Sequence, residues 1–267
     1  MHPMLNIAIR AARQAGNHIA KSLETADKIE TIQKGNNDLV TNIDKEAETL
    51  IIDTIRKAYP DHCIVAEESG TIEGKDKECQ WIIDPLDGTS NFVKGLPHFS
   101  VSIALRMRGR TEIACVYDPM RNELFTAQRG AGAQLNSQRL RVPQLKNLDG
   151  AVLATGFPFK QKQHSESYIK ILGAMFVECA DIRRTGSAAL DLCYLAAGRV
   201  DGYFELGLKP WDIAAGELIA REAGAICTDF SGGTNHLISG NIVAASPKVV
   251  RSMLTKIRDN GNEAMMK

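Results

Sequence analysis

Apolar residues at helical spacing alternate along this chain with short apolar runs typical of strands. In residues 4–24 the apolar positions recur every three or four residues, which predicts an amphipathic helix. Residues 44–58 have the same period and predict a second helix, with Asp44 placed to cap it. Short apolar runs at 63–66 and 81–83 predict two buried strands. The predicted polar loops between these elements cover residues 34–38 and 70–79.

The middle of the chain changes to a period of two, which predicts strands of an antiparallel meander. These strands cover residues 100–106, 112–117 and 123–127, with a small hairpin at 135–140. The second half is mixed, with strands predicted at 152–155, 200–206, 225–229 and 241–245, and helices at 164–177, 187–197, 212–223 and from Pro247. The pattern predicts one layered α+β (mixed α/β) domain over residues 1–267, with two lobes of roughly 1–145 and 146–267 that share a cleft.

Composition narrows the class of protein without naming a partner. Of the 267 residues, 44% are hydrophobic and 24% charged, and 32 basic residues balance 32 acidic ones. The chain therefore has no excess of basic residues of the kind that usually marks a protein that binds nucleic acid or a membrane. No apolar run approaches the length of a membrane span, and the first helix is too amphipathic for a signal peptide. We therefore expect a cytoplasmic protein whose six scattered cysteines are small buried side chains in a reducing compartment.

Residues 81–92 carry the most informative string. The apolar run 81–83 ends in Asp84, and Asp87 follows three positions later. Two carboxylates so close repel each other unless a cation lies between them, and oxygen ligands favour Mg²⁺. Residues 88–90 can then open a helix whose free N–H groups face a phosphate. The alternative, a surface Asp-Pro turn, fits poorly after a buried strand.

Other acidic residues have both an ordinary and a functional interpretation. Glu67 and Glu68 end the strand 63–66; they form a solvated turn, or Glu67 lies beside Asp84 if the two strands are neighbours. Asp212 stands where a helix cap belongs, and a capping carboxylate can also hold a cation. Asp44 is a plain cap or a residue that orients a water or Thr89.

The remaining candidates lie in the second half. Gly186, Ser187 and Ala188 open a helix whose N–H groups can face a phosphate or a hydroxyl, and a plain capped helix is an equal alternative. Glu205 ends a strand, where it can accept hydrogen bonds from a polyol. No histidine has the spacing of a metal ligand, and His62 is predicted in a solvated turn. Nucleophile elbow, Walker and Rossmann motifs do not occur, which disfavours a nucleophilic serine, a nucleoside triphosphate and a nicotinamide.

Four strings together resemble the signatures of the inositol monophosphatase family. They are Asp84-Pro85-Leu86-Asp87-Gly88-Thr89-Ser90-Asn91-Phe92, Trp211-Asp212-Ile213-Ala214-Ala215-Gly216, Glu67-Glu68-Ser69, and Asp38-Leu39-Val40-Thr41 with Asp44. The resemblance covers essentially the whole chain in the family's order and spacing. Residues 117–125 and 154–159 are most similar to the bacterial SuhB-type members. Ser90 stands where many members carry threonine and keeps the hydroxyl.

The resemblance implies the five-layered α-β-α-β-α sandwich of the inositol monophosphatase and sugar phosphatase type, usually a homodimer. It also implies about two or three Mg²⁺ ions per site, which lower the pKa of the attacking water. The first ion would have as ligands Glu67, Asp84 and the Leu86 carbonyl; the second Asp84, Asp87 and Asp212; and a weaker third Glu67 through water. Thr89, paired with Asp44, would orient the water, so that Glu67, Thr89 and Asp44 are the expected catalytic residues.

Substrate binding is implied in the same way. Asp87 and the N–H groups of Gly88 and Thr89 would contact the phosphate end of the substrate. The residues that would line the polyol site are Gly186, Ser187, Ala188 and Glu205. Lys209 falls where members of the family vary and receives no role.

The resemblance implies hydrolysis of inositol 1-phosphate and similar small polyol monophosphates, inhibited by lithium. Two alternatives stay open within the superfamily: a nucleotidase for 3′(2′),5′-bisphosphates, and a fructose bisphosphatase. A third belongs to another class, because similar bacterial proteins bind transcription machinery and support ribosomal RNA antitermination. With zero net charge, a protein is the expected contact in that role rather than RNA alone.

Overall fold

The computed structural model describes residues 2–23, 31–35, 38–159 and 161–266. The α-helices there are α1 (Pro3–Leu23), α2 (Asn42–Ala58), α3 (Thr89–Val93), α4 (Ser165–Phe176), α5 (Ala188–Ala196), α6 (Pro210–Glu222), α7 (His236–Ser239) and α8 (Pro247–Asn260). The strands are β1 (Thr31–Gly35), β2 (Asp38–Thr41), β3 (His62–Ala66), β4 (Gly70–Ile72), β5 (Asp76–Asp87), β6 (Ser100–Met107), β7 (Arg110–Asp118), β8 (Glu123–Gln128), β9 (Gly132–Leu135), β10 (Gln138–Arg139), β11 (Val152–Thr155), β12 (Asp181–Arg183), β13 (Gly202–Glu205), β14 (Ile226–Thr228) and β15 (Ile242–Ala245).

Two mixed sheets and a hairpin organise these strands. The larger sheet has the order β10-β9-β8-β7-β6-β5-β3-β4 and is antiparallel except where β3 runs parallel to β5. The smaller sheet has the order β12-β11-β13-β15-β14, with β11 parallel to both of its neighbours. β1 and β2 form a separate antiparallel pair.

The layers follow from where apolar faces are buried. α1 and α2 pack on one face of the larger sheet through a core that includes Ala8, Ile51 and Trp81. α5 and α6 lie between the two sheets, and α4 and α8 cover the outer face of the smaller one. This arrangement confirms the predicted mixed α+β fold and its α-β-α-β-α order. Because the middle helices contact both sheets, they support treating the chain as one domain with two lobes, which stays a prediction.

The middle layer depends on close helix packing. Gly216 of α6 faces α5, and a Cβ at this position would lie 2.7 Å from Leu192 Cβ, too near for a real contact. The neighbouring Ala214 and Ala215 are also small and fully buried. The absence of a side chain at Gly216 therefore lets α5 and α6 approach each other between the sheets.

The sequence analysis did not predict several short elements, some of which are strands at the sheet edges. Residues 70–79 were predicted as a loop, but β4 covers 70–72 and β5 already begins at Asp76. β4 is the edge strand and is mostly exposed, so no apolar alternation marks it. β12 and α7 were missed too, being only three and four residues long. In the loop predicted at 34–38, Lys34, Gly35 and Asp38 belong to strands, while Asn36 and Asn37 lie outside the described residues.

Two further predictions concern the burial of the cysteines and the absence of a membrane span. Five of the six cysteines are buried, as expected, and Cys179 is half-buried. Within the described ranges, none of the helices combines the length and the apolar character that a bilayer crossing needs.

Candidate metal and phosphate site

The ends of β3 and β5 bring carboxylates together at one edge of the larger sheet. β3 lies parallel to β5 with Ala66 opposite Ile83, and the Glu67 N–H donates to the Ile83 carbonyl at 3.2 Å. Glu67 and Asp84 therefore lie side by side where β3 ends, and β5 continues past this point to Asp87. Asp212, at the start of α6, lines the same cleft.

Nearly all the residues that the sequence assigned to a site line this cleft. They are Glu67, Asp84, Leu86, Asp87, Gly88, Thr89, Gly186, Ser187, Ala188, Glu205 and Asp212. Asp44 reaches the cleft through Thr89, whose hydroxyl lies 3.0 Å from Asp44 Oδ1 and 3.0 Å from the Leu86 carbonyl oxygen. Lys209, which received no role, lines it as well.

Asp44 and Asp212 were predicted as helix N-caps, but each lies three residues after the N-cap, within the first turn of its helix. Thr41 is the cap of α2, and Asp44 Oδ2 accepts its N–H at 2.8 Å. α6 begins at Pro210, so Lys209 is the cap, and Asp212 Oδ2 accepts the Lys209 N–H at 2.6 Å. Threonine is a good cap and proline favours the first helical position, which explains both differences. In Asp44 the second oxygen stays turned towards Thr89.

The carboxylates of the cleft are buried and repel one another. Asp84 is 2% exposed, and its pKa is raised well above the usual value, first by burial and then by the charges of Glu67, Asp87 and Asp212. Burial also raises the pKa of Asp87 to about 6 and that of Glu205 to about 7. A divalent cation with oxygen ligands removes this repulsion, so the donor set fits Mg²⁺.

Metal-free protein is therefore expected to lose stability as the pH rises from about 4 to about 6. The unfolded carboxyls titrate near 3.9, whereas burial raises the pKa of Asp84 and Asp87 in the folded chain. Between those values the folded state binds more protons than the unfolded state, so each rise in pH favours unfolding. Mg²⁺ binds the ionised folded form and should raise the melting temperature more at pH 7.5 than at pH 5. Melting curves in chelator and in Mg²⁺ at both pH values test this, and an equal Mg²⁺ effect at the two would contradict it.

Glu48 holds the turn that presents Glu67, and the sequence analysis missed it. Its carboxylate, 2% exposed, accepts the N–H of Glu68 at 2.8 Å and that of Ser69 at 2.9 Å. The Ser69 hydroxyl donates to it as well. Glu48 follows Ala47 on the buried face of α2, and a charged residue on an apolar face is the signal that could have identified it.

Glu205, which the resemblance places at a polyol site, is 7% exposed and forms the centre of another part of the cleft. The Tyr203 hydroxyl donates to Glu205 Oε2 at 2.6 Å, which fixes the carboxylate. A Cβ at Gly156 would lie 1.9 Å from Glu205 Oε1, so only glycine allows the carboxylate this position. Arg184 and Gln161 also line the cleft and were missed, since neither belongs to a local motif. Gly156 directly follows β11, and a glycine at a strand end was a usable signal.

A separate group of possible metal ligands lies at the other end of β5. Ligand atoms of His62, Asp76 and Cys79 all lie within 4.8 Å of one another. The prediction that His62 is solvated was wrong, because its ring is buried and stacks on Tyr59. The Trp81 indole N–H donates to His62 Nδ1 at 3.1 Å, which assigns the imidazole proton to Nε2. Nε2 then has no lone pair for a metal, and the group is a hydrogen-bonded network rather than a metal site.

Comparisons with known proteins identify the family of this chain. The model of the inositol monophosphatase family matches residues 1–263. A Vibrio cholerae protein named Nus factor SuhB is 77% identical over 267 residues, which is 100% of both chains. The structure of the extragenic suppressor protein SuhB from Bartonella henselae has a TM-score of 0.94 at 38% identity, covering 96% of this chain and 99% of its own. The Thermotoga maritima IMPase has a TM-score of 0.88 at 36% identity, covering 97% and 98%. The chain described here belongs to the inositol monophosphatase family.

Proposed function

We propose that the chain hydrolyses inositol 1-phosphate and related small polyol phosphate monoesters with the help of Mg²⁺. The observation that carries this proposal is the convergence of Glu67, Asp87 and Asp212 on the buried Asp84, with Thr89 beside them. A phosphate monoester repels nucleophiles through its own charge, so its hydrolysis needs strong local positive charge. A cleft of buried carboxylates supplies that charge by holding cations.

The metal ligands of the proposal are those that the family resemblance implies. Glu67, Asp84 and the Leu86 carbonyl would hold one ion; Asp84, Asp87 and Asp212 a second; and Glu67 would help to place a third. When bound, divalent cations neutralise the phosphate, lower the pKa of water and stabilise the leaving oxygen. Asp84, which takes part in two of the ion sites, has Oδ1 already occupied by the Leu86 N–H at 2.9 Å, which fixes its orientation.

Thr89 and Asp44 position the attacking water in this proposal. The Thr89 hydroxyl has one proton for two acceptors, Asp44 Oδ1 and the Leu86 carbonyl. Its oxygen keeps lone pairs that accept a hydrogen bond from a water. The backbone of Thr41 and the start of α2 hold Asp44 in place. Glu67, whose turn is fixed by Glu48, follows the strand next to Asp84 and would draw the proton from the water.

The opposite end of the cleft would bind the polyol. Glu205 Oε2 is occupied by Tyr203, and the remaining oxygen can accept a hydrogen bond from a substrate hydroxyl. Gly186, Ser187 and Ala188 line the cleft facing it, and the N–H groups of Gly88 and Thr89 would contact the phosphate. These assignments support an inositol-type substrate over a bisphosphate nucleotide or fructose bisphosphate.

Phosphate release from inositol 1-phosphate, with Mg²⁺ titrated from zero, tests the proposal. We expect turnover that requires Mg²⁺ and falls when lithium is added at saturating Mg²⁺. The same assay with a 3′(2′),5′-bisphosphate nucleotide and with fructose 1,6-bisphosphate ranks the alternatives. Folded protein that binds Mg²⁺ but releases no phosphate from any of these esters would refute the activity.

A second function is favoured by one finding. The relatives named Nus factor SuhB are 77% and 66% identical to this chain over 100% and 99% of its length. We propose that the chain also contacts the transcription machinery through protein contacts, as a cytoplasmic homodimer. A pull-down with purified polymerase and elongation factors tests the contact, and sedimentation tests the dimer. Recovery of no polymerase component above background would remove this second function.

A further inference from the structure

The start of α5 holds a carboxylate that lies a hundred residues away in the sequence. The Ser187 hydroxyl donates to Asp87 Oδ2 at 2.6 Å, and the Ala189 N–H donates to the same oxygen at 2.8 Å. Ser187 is 1% exposed, so this hydrogen bond is screened from water. Both donors meet Oδ2, and the orientation of the other Asp87 oxygen is therefore set by the beginning of α5.

A second connection between these parts of the chain has its donor on α3. The side-chain nitrogen of Asn91 donates to the His98 carbonyl at 2.8 Å and to the Thr185 carbonyl at 2.9 Å. Asn91 is 9% exposed. The side-chain amide of Asn91 thus links the segment that contains Asn91 and His98 to the segment that leads into Gly186.

The segment between these two connections has little freedom. Gly186 has a φ of +95°, and a Cβ there would lie 2.9 Å from Asn91 Nδ2. The Thr185 hydroxyl donates to Asp191 Oδ1 at 2.7 Å, which ties the segment to α5 as well. Residues 184–188, named here the substrate loop, are therefore fitted against residues 84–91, named here the metal loop.

We propose that Ser187 and Asn91 are positioning residues that couple the two loops, so that Mg²⁺ affinity and polyol binding depend on the same hydrogen bonds. The inference rests on the proposed function and deepens it. The sequence analysis placed Ser187 at a helix start lining the polyol site, and its hydroxyl is in addition directed at a proposed metal ligand. Coupling between two sites is reciprocal, so bound polyol must raise the Mg²⁺ affinity by the factor by which Mg²⁺ raises that of the polyol.

Calorimetric titration of Mg²⁺ into metal-free protein tests the coupling without any turnover. Each titration is run alone and with saturating inositol and inorganic phosphate, the products of the proposed reaction. Ser187→Ala removes one of two donors to Asp87 and should weaken Mg²⁺ binding about tenfold, as expected for one lost hydrogen bond to a charged group. Ser187→Thr keeps the hydroxyl and should restore the affinity. Asn91→Ala should reduce the tightening of Mg²⁺ binding by the products at least about threefold.

Ser252→Ala, on the outer face of α8, removes a hydroxyl far from both loops and serves as the matched control. Circular dichroism and melting curves confirm that each variant is folded. An unchanged Mg²⁺ dissociation constant in Ser187→Ala, or an undiminished product effect in Asn91→Ala, would overturn the inference. Wild-type protein that binds no Mg²⁺ would instead overturn the proposed function, so the two failures are distinguishable.

Discussion

Asp87→Asn is expected to lower kcat for inositol 1-phosphate by about a thousandfold or more, equivalent to roughly 4 kcal/mol of transition-state stabilisation. The substitution keeps the volume of the side chain but leaves a single acceptor oxygen. The Ser187 hydroxyl and the Ala189 N–H both need that oxygen. The amide nitrogen, with its two protons, must then face the position where Mg²⁺ needs an electron pair. The measurements are steady-state phosphate release and calorimetric Mg²⁺ binding.

The fold should survive the same substitution. Asp87 is buried, and burial raises its pKa to about 6, so the carboxylate costs stability in metal-free protein at neutral pH. The melting temperature of metal-free Asp87→Asn should therefore equal or exceed that of the wild type at pH 7.5. Asp53→Asn, on the exposed side of α2, is the control and should leave both turnover and Mg²⁺ binding unchanged. Near-normal turnover by Asp87→Asn would show that Asp87 is not a metal ligand.

Thr89→Ala is expected to lower kcat about a hundredfold, within the range for the loss of a group that orients a proton transfer. Mg²⁺ affinity should change by less than about threefold, because none of the proposed metal ligands is the Thr89 side chain. The hydroxyl lies between Asp44 and the Leu86 carbonyl, where alanine leaves nothing to hold the water. Single-turnover phosphate release gives the chemical rate, and calorimetry gives the affinity.

Thr89→Ser separates the hydroxyl from the methyl group. It keeps the oxygen and should recover most of the rate. If Thr89→Ala weakens Mg²⁺ binding as much as it slows turnover, Thr89 supports the metal loop and does not orient water. Asp44→Asn keeps one acceptor oxygen. It should also lower the rate more than the Mg²⁺ affinity, but by a smaller factor than Thr89→Ala.

The positions of the main carboxylates could be predicted because local sequence determines them. Asp84 follows the apolar run of β5, and Glu67 follows the parallel strand β3 next to it, so both lie at the same end of the sheet, although β5 continues to Asp87. The exact helix starts were less predictable. Thr41 and Pro210 compete with the aspartates for the first positions of α2 and α6, and the aspartates lie one turn later.

Contacts between distant segments could not be predicted. Glu48 binds a turn 20 residues ahead, and Ser187 binds Asp87 across 100 residues. No periodicity or motif encodes such a pair, because the pattern around one residue carries no information about which distant residue it will contact. The edge strands β4 and β12 were missed for a related reason, since a short strand with partly exposed side chains has no apolar pattern.

The tight packing of α5 against α6 limits how this cleft can change during evolution. α6 begins next to Asp212, and α5 begins with the donors that hold Asp87. Gly216 and Leu192 pack α5 closely against α6, so any sliding between the two helices would move Asp212 relative to Asp87. If the proposed activity is correct, its substrate range is therefore most readily changed through cleft residues outside this helix contact, among them Phe157, Gln161 and Leu208.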